Sequence, residues 1–131
     1  MPQNQEIIIV QDNPEILLSL KYNLETAGHI ILGTAQSYQE AVTLFNNLAQ
    51  TGKKQPIILL DNNLPYNSGG KPNAIGKKLA IQAQAEDIFG FEAIIIAVTS
   101  DVVNYGHAQF NPKDHEHSYD QIGSWITEQV W

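Results

Sequence analysis

Short runs of aliphatic residues punctuate the chain, and longer amphipathic stretches separate them. The strongest runs are IIIV at 7–10, IIL at 30–32, IILL at 57–60 and IIIAV at 94–98, and a weaker candidate lies at 107–110. The runs are continuous rather than alternating with polar residues, which is typical of strands covered on both faces, as in parallel sheets between helices. The pattern therefore predicts a layered α/β domain.

The stretches between these runs carry apolar residues at helical spacing, bounded by ordinary helix signals. Asn13-Pro14 is a suitable start for the first helix and Gly28 a suitable end, Gly52 ends the second, and Ser118 is a candidate N-cap for the last. The four stripes consist of Ile16, Leu17, Leu20, Leu24 and Ala27; Ala41, Leu44, Phe45 and Leu48; Ile75, Leu79, Ala83 and Ile88; and Tyr119, Ile122, Ile126 and Val130.

Composition narrows the class of protein. The 131 residues fit one domain, 1–131, and 43% of them are hydrophobic, which is enough for a core. The seven basic residues are all lysines and the net charge is −7, so we expect no nucleic-acid partner. No apolar run approaches the roughly 20 residues of a membrane span, and the polar start MPQNQ lacks the features of a secretory signal. We therefore expect a cytoplasmic protein with no membrane partner, and the absence of cysteine excludes disulfides.

Polar residues follow three of the predicted strands. Gln11 and Asp12 follow the first, Asp61 the third, and Thr99 the fourth. Ligands bind beyond the carboxyl ends of strands in such sheets, so these side chains converge if the three strands are neighbours. Two nearby carboxylates repel unless a cation or a proton joins them, and oxygen ligands of this kind suit Mg²⁺. An aspartate beside Mg²⁺ can attack a phosphoryl group, whereas one aspartate alone at a strand end is more often a turn residue.

Three segments resemble the receiver domain of response regulators in two-component signal transduction. They are IIIVQDNPEILLSLKYNLETAG, IILLDNNLPYNSG and AIIIAVTSD, and the most specific feature is Asp61 with Pro65 four and Gly69 eight positions later. The resemblance covers about the first hundred residues. It implies a doubly wound, flavodoxin-like (CheY-like) fold whose five-stranded parallel sheet has the order 2-1-3-4-5.

The resemblance also implies a role for each matching residue. Asp61 would accept the phosphoryl group, and Thr99 would be the switch hydroxyl. Mg²⁺ would be bound by Asp12, Asp61 and the backbone carbonyl of Asn63. A histidine kinase or a phosphotransfer protein would be the phosphoryl donor.

Two positions depart from the family pattern. Gln11 stands where the first acidic residue is usual, so either Mg²⁺ binds more weakly or Gln11 is a polar strand-end residue without a role. The family has Lys-Pro after the fifth strand, where this chain reads FNPKD. Alignment on Pro112 places Asn111 at the lysine position, whereas alignment on charge selects Lys113. We favour Lys113 as the phosphate-contacting residue and keep Asn111 as the alternative.

Two connections differ in length from the family. The segment 66–78 is longer, and its Gly, Pro, Asn and Ser content predicts an irregular loop. It could fold over the site and supply a cation from Lys71, Lys77 or Lys78, although solvated lysines are the simpler interpretation. Only residues 100–106 separate the fourth strand from the fifth, so the fourth helix of the family should be shortened or absent.

The short connection predicts a partner surface. Val102, Val103 and Tyr105 should tuck inward as a partial lid, and what they leave open should be an apolar patch. We expect that patch to bind an output protein or to form a homodimer. A separate candidate, His115 and His117 with Glu116, could hold a transition metal, or belongs to a solvated loop.

The leading hypothesis is a stand-alone receiver, not an enzyme, that signals through protein contacts. The alternative is a pseudo-receiver, a docking module that is not phosphorylated; Gln11, the uncertain lysine and the short connection favour it. An aspartate-dependent phosphohydrolase is a weaker hypothesis, because the motif DNN after the third strand lacks the second carboxylate that one such class uses as its acid and base.

Overall fold

The computed structural model describes residues 5–52, 55–67, 69–114 and 118–129, which are built around a five-stranded parallel sheet. The strands are β1 (Glu6–Val10), β2 (Ile30–Ala35), β3 (Ile57–Leu60), β4 (Ile94–Val98) and β5 (Ala108–Phe110). They lie in the order β2-β1-β3-β4-β5, and each pairing is parallel. The predicted doubly wound order 2-1-3-4-5 is confirmed. The direction in which successive strands are added to the sheet changes between β1 and β3.

Pairing makes β2 longer than its hydrophobic run. Residues 33–35 are a glycine, a threonine and an alanine, yet they pair with Ile8, Ile9 and Val10 of β1. The register shifts between Ile7 and Ile8, so Leu32 is the extra residue of a bulge. Hydropathy could not predict this extension, because the hydrogen bonds of β1 impose it.

The helices are α1 (Pro14–Thr26), α2 (Tyr38–Gln50), α3 (Gly76–Ala83) and α4 (Ile122–Glu128), with short 3₁₀ turns at Gly90–Glu92, Pro112–Asp114 and Ser118–Gln121. Asn13 caps α1 through hydrogen bonds that its side-chain oxygen accepts from the N–H groups of Glu15 and Ile16, at 2.9 and 3.2 Å.

Some predicted helix positions were wrong. Ala27 and Ile88 lie outside the helices, and Ile75 precedes α3 rather than belonging to it. The N-cap of α4 is Gln121 instead of Ser118, because a 3₁₀ turn comes first. Val130, from the last stripe, lies outside the described residues.

The core consists of two apolar clusters, one on each face of the sheet. Ile8, Val10, Ile58 and Leu60 point to the cluster covered by α2 and α3. The alternate residues of the same strands, including Ile7 and Ile9, point to the cluster covered by α1 and α4. The continuous aliphatic runs follow from this arrangement, since every residue of β3 is buried on one face or the other.

No helix joins β4 to β5 in the structure, which confirms the predicted short connection. The predicted lid is only partly right. Tyr105 is half-buried and packs against the α2–α3 cluster, and Val103 is partly covered. Val102 is fully exposed, because the hydrogen bonds that hold this connection leave its side chain on the outside.

The segment 66–78 is more ordered than predicted. Residues Asn63–Leu64 and Asn73–Ala74 pair as a short antiparallel ribbon, and α3 begins at Gly76. Lys77 and Lys78 are therefore helical. The Lys78 ammonium lies over the rings of Tyr38 and Tyr66, 5.1 and 5.3 Å from their centroids, so it joins α3 to the start of α2.

Two other expectations from the sequence concern a membrane span and a transition-metal site. Among the described residues, none of the helices has the length and hydropathy needed to cross a membrane. The candidate metal site at His115, Glu116 and His117 lies outside the described residues.

Candidate functional site

The carboxyl ends of β1, β3 and β4 meet around a cavity of about 350 Å³. Five of the predicted site residues line it: Gln11, Asp12, Asp61, Asn63 and Thr99. The other two, Asn111 and Lys113, do not, although Pro112 between them does. The cavity is also lined by Asp101 and Tyr119, to which the sequence pattern assigned no part in the site.

Asp61 is the most perturbed carboxylate of the site. Its backbone N–H donates to the Val10 carbonyl at 3.0 Å, which places it directly beside the end of β1. Burial, and then the negative charge of Asp12, raise the pKa of Asp61 to about 7, although the N–H groups of Asn62 and Asn63 donate to its carboxylate. Among the described residues no positive charge offsets this effect at Asp61, and either a proton or a cation would relieve the repulsion.

Gln11, which stands where the family pattern has its first acidic residue, has a structural function. It is 3% exposed, and its side-chain oxygen accepts a hydrogen bond from the Asn13 N–H at 3.1 Å. Its own N–H donates to the Ala35 carbonyl at 2.9 Å. Gln11 thus joins the ends of β1 and β2 to the N-cap of α1, and a neutral amide does this in a place where a third carboxylate would add repulsion.

Asp101 links the β3 end to the β4 end. Its carboxylate accepts hydrogen bonds from the side-chain amides of Asn62 and Asn63, at 3.0 and 2.7 Å. These hydrogen bonds lower the pKa of Asp101, and the bond from Asn62 has the largest effect. The positive charge of Lys113 also lowers it. The only sequence signal was a carboxylate two positions after Thr99 in the segment TSD.

Thr99 lies under this link and is almost completely buried. Its hydroxyl oxygen accepts a hydrogen bond from the Asp101 N–H at 3.1 Å, and its own N–H donates to the Phe110 carbonyl at 3.2 Å. The Gln109 amide donates to the carbonyls of Thr99 and Asp101, both at 2.8 Å. One side chain of β5 therefore holds the backbone that a helix would otherwise organise.

The two candidates for the lysine position both lie at the 3₁₀ turn Pro112–Asp114. The Asn111 side-chain oxygen accepts from the Lys113 N–H at 3.0 Å and so caps that turn. Lys113 is exposed, and its charge acts on Asp101. The described residues that line the cavity include no lysine.

Tyr105 and Asn62 connect the site to α3. The Tyr105 hydroxyl donates to the Asn62 side-chain oxygen at 3.2 Å. The Asn62 carbonyl accepts from the N–H groups of Ile75 and Gly76, at 3.1 and 3.2 Å. Gly76 permits this approach, since a Cβ on it would overlap the Tyr105 hydroxyl. Sequence reasoning could not find this contact, which joins residues 43 positions apart.

The donor set fits Mg²⁺ better than a transition metal. No group of three or more His, Cys, Asp or Glu side chains is placed to hold a metal ion within the described parts of the chain. Asp12 and Asp61 offer two carboxylates in one cavity with Asn63 beside them. Mg²⁺ needs few protein ligands and keeps several waters, whereas structural zinc needs four ligands.

Comparison with known sequences gives a partial match. A scan against models of protein families found none that matches. The phyllosphere-induced regulator PhyR of Methylorubrum extorquens is 35% identical over 65 residues, which are 50% of this chain and 23% of PhyR. The chain thus spans less than a quarter of the length of that curated relative.

Comparison with solved structures identifies the fold. The signal receiver domain of a modulated diguanylate cyclase from Desulfovibrio desulfuricans has a TM-score of 0.65 at 20% identity, with 95% of this chain and 91% of that chain covered. The phosphorylated cyanobacterial phytochrome response regulator RcpA has a TM-score of 0.68 at 16% identity, with 96% and 93% covered.

A third structure is the receiver domain of a sensor histidine kinase from Pseudomonas aeruginosa, with magnesium coordinated in its active-site cleft. Its TM-score is 0.61 at 20% identity, with 82% of this chain and 84% of that chain covered. The chain therefore has the receiver-domain fold of response regulators, with the connection between β4 and β5 shortened.

Proposed function

We propose that the chain, as a single domain over 1–131, is a receiver that accepts a phosphoryl group on Asp61. The observation that carries this proposal is the position of Asp61: it shares a cavity with Asp12 and Thr99, and burial and the Asp12 charge raise its pKa to about 7. A carboxylate that has no cation beside it and lies at the carboxyl ends of parallel strands is suited to bind a cation and a phosphoryl group.

The reaction is a transfer between two proteins. An Asp61 oxygen attacks the phosphorus of a phosphohistidine, the P–O bond forms, and the P–N bond breaks. The imidazole leaves and takes up a proton. A histidine kinase or a phosphotransfer protein is the proposed donor. The product is an acyl phosphate on Asp61.

Residues around Asp61 have distinct tasks in this reaction. Asp12, Asp61 and the Asn63 carbonyl would hold Mg²⁺, which when bound offsets the negative charge of the transferred group. The N–H groups of Asn62 and Asn63 hold the Asp61 carboxylate in place. The Thr99 hydroxyl accepts from Asp101, so its own hydrogen is available for a phosphoryl oxygen.

The structural neighbours support the same proposal. One is a receiver with magnesium in its cleft, and another is a phosphorylated response regulator. We place the protein in the cytoplasm, where the phosphoryl donor would be found. It would signal through contacts with an output protein, or as a homodimer, rather than through its own catalysis.

The test is phosphorylation by acetyl phosphate in the presence of Mg²⁺. Intact-mass measurement should show one added phosphoryl group on the wild type and none on Asp61→Asn. Asp101→Asn is the matched control, because it removes a carboxylate from the same cavity and should still be modified. If the wild type stays unmodified while an ordinary receiver reacts, the phosphoacceptor proposal fails.

A pseudo-receiver is the second candidate, and specific contacts favour it. The Gln11 amide is engaged at the N-cap of α1, Asn111 caps a 3₁₀ turn, and Lys113 is exposed. If the chain is a pseudo-receiver, the wild type and Asp61→Asn should bind the partner equally well, with or without a phosphodonor.

A further inference from the structure

A phosphoryl group on Asp61 would present three oxygens, each of which needs a hydrogen-bond donor or a metal ion as its partner. Mg²⁺ and the Thr99 hydroxyl would each take one. No lysine is among the lining residues that the structure describes, and the charge of Lys113 acts on Asp101. The third oxygen therefore has no assigned partner. The assignment made below rests on the proposed function.

Tyr119 lines the cavity, and its ring packs against Phe110. It belongs to the 3₁₀ turn Ser118–Gln121, and its ring stacks on Phe110 with centroids 6.4 Å apart and an interplanar angle of 28°. Phe110 is completely buried and packs edge-on against Trp125 at 5.2 Å. The Phe110 carbonyl accepts the Thr99 N–H, so the same residue positions both hydroxyl-bearing side chains.

The Tyr119 hydroxyl is available to a ligand. Tyr119 lines the cavity together with Asp61 and Thr99. Burial, and then the charge of Asp61, raise the pKa of both Tyr119 and Tyr105, so each hydroxyl remains a protonated donor near Asp61. Tyr105 already donates to Asn62. Within the described residues Tyr119 makes no such bond, and no buried side-chain polar atom there lacks a partner, so its hydroxyl is accessible to solvent, on a residue that lines the cavity.

We propose that the Tyr119 hydroxyl donates a hydrogen bond to the phosphoryl group on Asp61, at the position that a lysine ammonium would otherwise occupy. A hydroxyl directs one hydrogen bond but adds no positive charge. The site therefore depends on Mg²⁺ for neutralisation of the phosphoryl group more than a site with a lysine does.

The experiment measures binding of beryllofluoride, a phosphoryl mimic, in saturating Mg²⁺ by NMR. Tyr119→Phe keeps the ring on Phe110 and removes only the hydroxyl. It should weaken beryllofluoride binding roughly tenfold or more, as expected for one hydrogen bond to a charged group. Tyr105→Phe is the matched control: it also removes one hydroxyl near Asp61, but one already bound to Asn62, and it should change the affinity less than twofold. Lys113→Ala should behave like the control.

Two further readouts separate a direct contact from a structural effect. Thermal stability and Mg²⁺ affinity without beryllofluoride should be the same in Tyr119→Phe and in the wild type. If Tyr119→Phe binds beryllofluoride as the wild type does, or if Lys113→Ala alone causes the loss, the Tyr119 inference is wrong and the proposed function stands. If the wild type itself forms no adduct, the proposed function fails, and the inference fails with it.

Discussion

The two sides of the cavity are built by different kinds of contact. On the β1–β3 side, the backbone ladder and the N-cap of α1 place Asp12 and Asp61. On the β4–β5 side, side chains hold the backbone: Gln109 binds two carbonyls, and Asp101 binds two asparagine amides. The β1–β3 side carries Asp12 and Asp61, the carboxylates of the proposed phosphoacceptor site, and the β4–β5 side carries Thr99.

This difference has a consequence for mutation. Ladder contacts are shared among many residues, so a single change at the surface of the β1–β3 side alters charge more than geometry. The side-chain contacts on the β4–β5 side each depend on one residue, so removing one should loosen a whole segment.

The largest effect we expect is stabilisation by Asp61→Asn, on the β1–β3 side. Burial, and then Asp12, raise the pKa of Asp61 from 3.8 to about 7. The native state then binds this proton more tightly than the unfolded state, so the contribution of Asp61 to stability is fully present below pH 3.8 and is lost as the pH rises to about 7. Without Mg²⁺ and at neutral pH, Asp61→Asn should increase the free energy of unfolding by about 2–4 kcal/mol.

Urea unfolding above and below this pH range measures the effect, and Asp101→Asn is the control. The hydrogen bonds from Asn62 and Asn63 lower the pKa of Asp101, so its replacement should not stabilise the protein. Destabilisation by Asp61→Asn at neutral pH in the absence of Mg²⁺ would show that burial and the Asp12 charge do not disfavour the Asp61 carboxylate.

Two histidines, one buried and one exposed, test how much burial adds to the value of a side-chain hydrogen bond. His29 is 4% exposed; its Nδ1 accepts the Gln5 N–H at 3.1 Å and its Nε2 lies 3.1 Å from the Gly123 carbonyl oxygen. His107 is exposed, and its Nδ1 accepts the Ile95 N–H at 3.0 Å. His29→Ala should cost about 1–3 kcal/mol, because it leaves buried groups unpaired, and His107→Ala should cost less. Equal losses in denaturant unfolding would contradict the burial argument.

Gly76→Ala probes the contact that joins the β4–β5 side to α3. A Cβ here would overlap the Tyr105 hydroxyl and lie 3.0 Å from the Asn62 Cα, so Tyr105 must move away. We expect a loss of about 1–2 kcal/mol in the free energy of unfolding. In a double-mutant cycle Tyr105→Ala should absorb part of this loss; strict additivity would mean that the Asn62 backbone alone causes it.

Gln109→Ala should have the smallest effect on global stability, about 1 kcal/mol, because Gln109 is largely exposed. Its local effect should be larger. Hydrogen exchange of the amides in 100–106 should accelerate, since the carbonyls of Thr99 and Asp101 lose their shared donor. Gln84→Ala is the control, because Gln84 donates to Ala93, outside this connection. Unchanged exchange in 100–106 would show that Gln109 does not hold the connection.

The sequence by itself predicted parallel strands and placed Asp12, Asp61 and Thr99 at strand ends, whereas the strand order that brings them together was implied by the resemblance to receiver domains. Hydrophobic periodicity and strand ends are local properties, and the topology of a parallel sheet converts them into positions. The length of the segment 100–106 likewise predicted the missing helix.

Only the tertiary structure decided which side chains complete the site. Asp101 and Asn62 lie 39 positions apart, and nothing local to either residue indicates the hydrogen bond between them. Tyr119 belongs to an apolar helical stripe in the sequence, yet the 3₁₀ turn before α4 places it at the cavity. Lys78, a candidate cation by sequence, binds two tyrosine rings instead. The physical reason is that the direction of a side chain depends on turns and packing between distant segments, which a pattern of hydrophobic and polar residues does not encode.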